Sequence, residues 1–433
     1  MIKIAEDTKL AALDEKNLQK LRAIPSEQVF RNVTNAITLC KPNSVFVCTD
    51  DPKDINYIRK MAIETGEEAS LKMEGHTIHF DGFKDQARDT VQTKYLVPEG
   101  DSFGANLNQV DRAQGLEEIN RFFKESMRGK QMIVRFFCLA PTDSPFSIPC
   151  MQITDSFYVA HSDDLLYRSA YEHFKTIDDS EDFFFVLHSA GRLENAVSAD
   201  VDKRRIYIDY KTNTVLSVNT QYAGNTVGFK KLALRLAIRK ADHEGWLAEH
   251  YFMRTQLGPG RETIFLGAFP SACGKTSTAM AHGGRIIGDD LAYLKVIGGE
   301  IRSANVESGI FGIIRDVNKD DDPVIWDALT SPGETIFSNV LISDNVPYWQ
   351  GDGREIPEKG VNFSGKWYKG KKDENGGEIP HAHSNARYTL RMADLANYDP
   401  AYEDPKGVPV DAIIYGGRDS DTSVPLIQSF NWC

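Results

Sequence analysis

Thr263-Ile264-Phe265-Leu266-Gly267-Ala268, followed at once by Phe269-Pro270-Ser271-Ala272-Cys273-Gly274-Lys275-Thr276, decides how the rest of the chain is read. The first six residues form an apolar run of strand length and read as a buried strand. Ser277-Thr278-Ala279-Met280-Ala281-His282 is compatible with a helix. Strand, tight loop, Gly-Lys-Thr and helix is the layout of a phosphate-binding loop. Backbone N–H groups and the positive end of a helix dipole surround the phosphates. The lysine neutralises phosphate oxygens, and the threonine hydroxyl ligates a divalent metal. Phe269 stands where the general pattern has its first glycine, so the reading rests on context. Arg285-Ile286-Ile287-Gly288-Asp289-Asp290 supplies that context, a short apolar strand ending in paired aspartates. One carboxylate suits a hard cation, and the other suits a metal-bound water.

At 433 residues the chain predicts two domains. Apolar content of 41% and aromatic content of 10% suit a globular fold. A net charge of −12 argues against non-specific nucleic-acid binding, while leaving room for one local cationic cleft. No apolar run reaches the roughly 18 residues of a membrane span, so no membrane partner is expected. Met1 to Asp7 lacks the apolar core of a signal peptide. Cysteines at 40, 48, 138, 150, 273 and 433 make no Cys-x-x-Cys or zinc spacing. Reduced thiols and a cytoplasmic location are therefore expected. Cys273 differs, because the loop, the helix start and Lys275 should lower its pKa and raise its reactivity.

Strands are predicted at Ser44–Cys48, Gln131–Leu139, Asp182–Leu187 and Arg205–Tyr210, with helices at Ser26–Leu39 and Asp54–Glu64. Near residue 215 the pattern changes. Phe229, Leu232, Ala233, Leu236 and Ala237 fall on one helical face. Glu244-Gly245 reads as a turn before a second helical segment, Trp246 to His250. Lys366 to Gly377 reads as an exposed loop. The fold class is α/β, an N-terminal α/β domain (1–215) and a P-loop domain with a mixed sheet (216–433).

Several groups near the phosphate loop can carry chemistry. Lys230 and Lys231 repel each other's charge, which favours a neutral lysine. A neutral lysine, His250 and an aspartate make a mixed N/O set suited to manganese. On the residues alone a lysine pair is commonly a solvated face, so this set needs further support. Gln221 to Thr226 is a loop able to face a small anion. Arg387, in His381 to Arg387, and Arg418, after Ala412 to Tyr415, suit carboxylates and phosphates.

Taken together, these pieces resemble GTP-dependent phosphoenolpyruvate carboxykinases. Matches run in family order through Ala87-Arg88, Thr154-Asp155-Ser156, Leu187-His188-Ser189, Tyr222 to Asn225, Lys230-Lys231, Glu244 to His250, Gly288-Asp289-Asp290, Phe311-Gly312, Tyr348-Trp349, Ala382 to Arg387 and Gly416-Gly417-Arg418. The resemblance implies that oxaloacetate loses carbon dioxide and that the enolate takes the γ-phosphoryl of GTP. Phosphoenolpyruvate and GDP are the products, in gluconeogenesis. It implies Mn2+ on Lys231, His250 and Asp290, with Thr276 on the Mg2+ or Mn2+ of the nucleotide. Arg88, Tyr222, Ala223, Gly224, Ser271, Asn385 and Arg387 are then expected at the substrate. Ala272, Cys273, Gly274, Lys275, Thr276, Ser277, Arg387 and Arg418 are expected at the nucleotide. Cys273, Lys275 and Arg387 are expected to be catalytic. Domain 1–215 would bind phosphoenolpyruvate or oxaloacetate, and 216–433 would bind nucleotide and metal. A monomer is expected.

The chain also departs from the family pattern. Ala223 replaces a glycine, and Asp89-Thr90-Val91-Gln92-Thr93 follows Arg88 in place of Val-Glu-Ser-Lys-Thr. Ile313 to Asn318 follows Gly312 in place of Ala-Pro-Gly-Thr, and Asp419 replaces the second arginine of Gly-Gly-Arg-Arg. Family members continue past the position of Cys433, through a mobile lid and a guanine pocket. The P-loop domain is therefore expected to be incomplete, with an exposed apolar edge and poor turnover. Pyrophosphate or ATP as phosphoryl donor, or a nucleotide- and metal-binding fragment with little catalysis, stay open as alternatives.

Overall fold

The computed structural model describes residues 11–86, 89, 91–178, 182–222, 228–270 and 274–417. Gln131–Leu139 is the spine of the N-terminal half. It pairs parallel with Ser44–Val47 and antiparallel with Ile148–Thr154. The nine-stranded mixed sheet continues through Phe184–Ser189, Thr214–Val218, Arg205–Asp209, Thr93–Val97 and Gln109–Asp111. Every residue from Met132 to Leu139 is buried, because both faces of this strand are covered. Met132, Val134 and Phe136 pack on one face, with Val33 and Ile37 of helix Glu27–Cys40 and Ile119 and Phe123 of helix Arg112–Phe123. Phe137 and Leu139 face the other way, as a period of two requires, and meet Phe229, Leu232 and Leu236.

That second partner is wound as a π-helix over Lys231–Leu236 and as an α-helix over Ala237–Glu244. Gly245, at φ 75°, ends it in the left-handed conformation. The helix predicted for Trp246 to His250 is a strand instead. Leu247–Glu249 pairs antiparallel with Ala292–Ile297, so His250 stands at a strand end. Leu247 and Ala248 alternate exposed and buried, a period that suits a strand and not a helix. The expected loop at Lys366 to Gly377 also contains a strand, Gly365–Tyr368. Trp367 anchors it, packed with Leu341, Phe363 and Ile379 and donating to the Ile379 carbonyl at 2.9 Å.

The phosphate-loop strand, Arg261–Ala268, lies between Phe252–Gly258 and Ala412–Tyr415. It is only half-buried, with Leu266 and Gly267 as its buried positions. A further sheet has the order Ala69–Ser70, His76–His79, Thr335–Ser338, Arg387–Arg391, Gly309–Ile313. His76–His79 therefore leaves the first half and pairs parallel with Thr335–Ser338 of the second.

A buried ionic cluster crosses beside this sheet. Arg59 and Arg391 reach Asp164 at 2.9 and 3.0 Å, and Arg135 contacts the same carboxylate. His161 lies between Glu68, at 2.9 Å, and Glu334, at 3.1 Å. Burial opposes its charge, but the two carboxylates overcome it and hold its pKa at about 9. The folded value lies above the unfolded one, so this stabilisation is complete below about pH 6.5 and is lost as pH rises toward about 9. Thermal melts should therefore show wild type well above His161→Gln at pH 6 and a narrower gap at pH 9. A gap that is constant with pH would contradict the charged state of His161.

Candidate functional site

The loop, the paired aspartates and the helix at Phe229 are brought to one place by their strands. Gly284–Gly288 pairs with Phe252–Gly258, next to the phosphate-loop strand, so Asp289 and Asp290 emerge beside the start of helix Lys275–Met280. Gly274 caps that helix at φ 82°, where a side chain would be strained. Phe269, in place of the usual glycine, packs edge-on against Phe252 at 5.4 Å. The aromatic seats the loop on the sheet that a glycine would leave uncovered.

Asp290 is where charge converges. Lys230 and Lys275 both place their ammonium groups on its carboxylate. His250 Nε2 lies 2.6 Å from Oδ1. Thr276 Oγ1 donates to Asp289 Oδ2 at 3.4 Å, and Asp289 Oδ1 is buried with no hydrogen-bond partner. Among the described residues no three His, Cys, Asp or Glu side chains gather as a metal site, while two lysine ammonium groups stand at Asp290. The donor types fit a divalent cation well. Imidazole nitrogen, carboxylate oxygen and amine nitrogen meet at one point, and a second aspartate carries an unused oxygen.

Lys231 belongs to the same neighbourhood. It lines a cleft of about 380 Å³ with Asp89, Tyr95, Lys230, Arg235 and His250. Of the two adjacent lysines, however, it is Lys230 whose ammonium contacts Asp290, whereas the resemblance assigned the ligand role to Lys231. Glu307 was missed as well. Burial pushes its carboxyl up, Lys230 and Lys275 pull it down, and Asp289 raises it further. An isolated glutamate on a strand-like stretch carries no motif, so only proximity reveals it.

A second cluster gathers around Asn385. Its amide nitrogen donates to the Tyr222 hydroxyl and, at 3.3 Å, to the Gln86 carbonyl. Arg387 Nη2 donates to Asn385 Oδ1 at 2.9 Å, and its guanidinium lies 5.2 Å from the Phe311 ring centre. Below Tyr222, His188 bridges the Thr154 hydroxyl at 2.7 Å and the Thr220 carbonyl at 2.8 Å. Tyr388 joins the two clusters. Its phenol is pushed well above the ordinary value, first by burial and then by Asp289 and Asp322, with Arg387 opposing. Ser277 interacts with Asp322, whose carboxyl burial pushes up. Arg88, Ala223, Gly224, Ser271, Ala272, Cys273 and Arg418 lie outside the described residues. The described cysteines, Cys40, Cys48, Cys138 and Cys150, are buried free thiols. No described helix is long and apolar enough to cross a membrane.

A family model described as the phosphoenolpyruvate carboxykinase N-terminal domain matches residues 31–242. A second, described as the phosphoenolpyruvate carboxykinase C-terminal P-loop domain, matches 246–433. The chain is 51% identical over 430 residues to the phosphoenolpyruvate carboxykinase (GTP) of Thermococcus sibiricus, covering 99% of this chain and 69% of that protein. The corresponding protein of Pyrococcus abyssi is 51% identical over 423 residues, 97% of this chain and 68% of its own length. That of Saccharolobus solfataricus is 43% identical over 416 residues, 96% of this chain and 66% of its own length.

The phosphate-loop helix has only six residues and depends on a cap that the sequence does not advertise. Arg254, 1% exposed, donates to the carbonyls of Thr278 at 2.8 Å, Ala279 at 3.2 Å and His282 at 3.2 Å. Arg254→Met would take this donor from the Ala279 and His282 carbonyls, at roughly 1–3 kcal/mol for each that stays dry, while Thr278 keeps the Ala281 N–H. A lower melting temperature and nucleotide affinity weakened by about tenfold are expected by calorimetry. Unchanged nucleotide binding would show that the cap does not support the loop.

Proposed function

This chain belongs to the GTP-dependent phosphoenolpyruvate carboxykinase family, and from that premise we propose the part each site residue plays. The activity is the GTP-dependent conversion of oxaloacetate to phosphoenolpyruvate, GDP and carbon dioxide, with a divalent metal in the site. The observation that carries the residue assignments is the convergence of Lys230, Lys275 and His250 on Asp290, at the end of the strand beside the phosphate loop.

We assign the active-site metal to Lys231, His250 and Asp290, with Mn2+ as the ion, because two nitrogens and one carboxylate suit it better than Mg2+. Lys230 supports the neutral form of Lys231 by adding positive charge next to it. When bound, the ion supplies Lewis acidity that stabilises negative charge on the enolate oxygen. The remaining work falls to the chain itself. Arg387, Asn385 and Tyr222, with Arg88, hold the carboxylates of oxaloacetate so that the bond to the departing carbon dioxide can break and its electrons pass into the enolate. The enolate oxygen then bonds to the γ-phosphorus as the bridge to the β-phosphate breaks, and GDP leaves. Lys275 exchanges Asp290 for the phosphate oxygens when nucleotide enters. Thr276 and Asp289 hold the nucleotide's own cation, for which the unpaired Asp289 oxygen is the supporting observation. Ala223, Gly224 and Ser271 complete the substrate side. Ala272, Cys273, Gly274, Ser277 and Arg418 complete the nucleotide side.

We place the change from substrate domain to nucleotide domain after Val218, since Thr214–Val218 is held inside the N-terminal sheet. A monomer in the cytoplasm is the proposed working form, testable by light scattering and fractionation.

Electron paramagnetic resonance of Mn2+ titrations tests the ligand set. Asp290→Asn and His250→Ala should each weaken Mn2+ binding by about 100-fold or more, since even outer partners of a metal site cost 10–100-fold. Mn2+ affinity unchanged in both variants would overturn the assignment. In parallel, oxaloacetate with Mn2+ should give phosphoenolpyruvate with GTP at least about tenfold faster than with ATP or pyrophosphate. Equal rates with the other donors would refute GTP preference.

A further inference from the structure

Resting on the substrate reading above, we propose that Asp85 is a positioning residue of the carboxykinase, which with Arg204 staples residues 81–86 and Asp89 to Thr220–Tyr222 and so sets the Tyr222–Asn385–Arg387 group that holds oxaloacetate. Asp85 is 1% exposed, and its carboxylate is occupied by Thr220, Gln221 and Arg204. It acts through its neighbours. Oδ2 accepts from the Thr220 hydroxyl at 2.8 Å and from the Gln221 N–H at 3.2 Å. Oδ1 accepts from Arg204 Nη1 at 2.8 Å. Arg204 Nε donates at 2.8 Å to Asp89 Oδ2, so one guanidinium grips both Asp85 and Asp89.

The consequence is a closed circuit of hydrogen bonds. The Thr220 hydroxyl, oriented by Asp85, accepts the Tyr222 N–H at 3.1 Å. The Tyr222 hydroxyl meets the Asn385 amide, and the same amide donates to the carbonyl of Gln86 at 3.3 Å. Gln86 follows Asp85 in the chain, which closes the ring. Gln86 Nε2 also donates to the Asp81 carbonyl at 3.0 Å, and Asn339 Nδ2 to the Asp81 carboxylate at 2.7 Å. The segment is thus anchored to the loop after Thr335–Ser338 as well. A carboxylate is needed at position 85 because its two oxygens accept from three directions at once. An asparagine would turn an NH2 group toward either the guanidinium or the threonine hydroxyl. Burial, and then Asp81, push the Asp85 carboxyl up to about 6, and Arg204 offsets that repulsion. A circuit that spans Asp85, Thr220, Tyr222 and Asn385 draws its members from three distant parts of the chain. Loosening it moves the arginine and tyrosine relative to each other, and a misplacement on the order of 1 Å is expensive for a bound dicarboxylate.

The test is calorimetry of phosphoenolpyruvate and of GTP binding to the full chain with Mn2+, alongside melting temperatures. Asp85→Asn should weaken phosphoenolpyruvate by about tenfold and leave GTP within about twofold. Arg204→Lys keeps the charge but loses the two-pronged grip, and should weaken phosphoenolpyruvate by about threefold, again sparing GTP. The double variant should be no weaker than about the worse single one, because both break one circuit. Should Asp85→Asn fail to fold, Arg204→Lys carries the test, being partly solvent-facing and charge-conserving. Phosphoenolpyruvate affinity within twofold of wild type in the soluble variants, or a parallel loss of GTP affinity, would overturn the proposal. Asn385→Ala run beside them separates the two levels. If it alone weakens phosphoenolpyruvate, the staple is wrong and the substrate site stands. If it too has no effect, the substrate site and the staple fall together.

Discussion

The parallel pairing of His76–His79 with Thr335–Ser338 is the constraint on which the rest of the molecule depends. It commits an N-terminal segment to a sheet made otherwise of C-terminal strands, and Arg387–Arg391 is the next strand in that sheet. Chain leaving His79 must therefore run past Asp81, Asp85 and Gln86 close to Asn385 and Arg387. The ionic cluster on Asp164 ties the same region across the two halves, with Arg59 from one side and Arg391 from the other. Buried ion pairs contribute little net stability, but they penalise any other arrangement of the elements that carry them. Here they favour one relative placement of two halves whose facing loops carry the proposed substrate site.

The metal-binding side has a different logic. Helix 229–244 packs its apolar face on the N-terminal sheet through Phe229, Leu232 and Leu236, and also touches Trp246 and Tyr293 of the second half. Its lysines are consequently held at the seam. The π-wound turn at Lys231–Leu236 widens the helix there, as such turns often do beside functional side chains. Strand ends supply the rest. His250 follows Leu247–Glu249, Asp289 and Asp290 follow Gly284–Gly288, and the phosphate loop follows Arg261–Ala268. Side chains at strand ends are rigid at the base and free at the tip, which suits ligands that must meet an incoming cation and then a nucleotide.

Asp290 gathers three basic groups whose tasks differ. The negative charge of the carboxylate makes their mutual repulsion tolerable, and any cation that enters competes with ammonium groups already in place. In the proposed mechanism phosphate has the opposite effect and draws Lys275 away from the aspartate.

Local chemistry was legible in the sequence. The apolar run before Gly-Lys-Thr, the aspartate pair after a short strand and the long apolar run of Gln131–Leu139 are local patterns of strand length, which residue type alone displays. The buried face of Phe229, Leu232, Ala233, Leu236 and Ala237 could likewise be read from spacing alone. Trp246 to His250 could not, because five residues carry no reliable period and the deciding partner, Ala292–Ile297, lies some forty residues downstream. The choice between Lys230 and Lys231 at Asp290, the cap by Arg254 and the staple by Asp85 were equally hidden, since each depends on a side chain meeting an atom far away in sequence. The sequence by itself determined the element types and the chemical kinds of group available for phosphate and metal. Only the tertiary structure decided which of those groups meet, because pairing between distant strands sets separations in space that no local pattern of residues encodes.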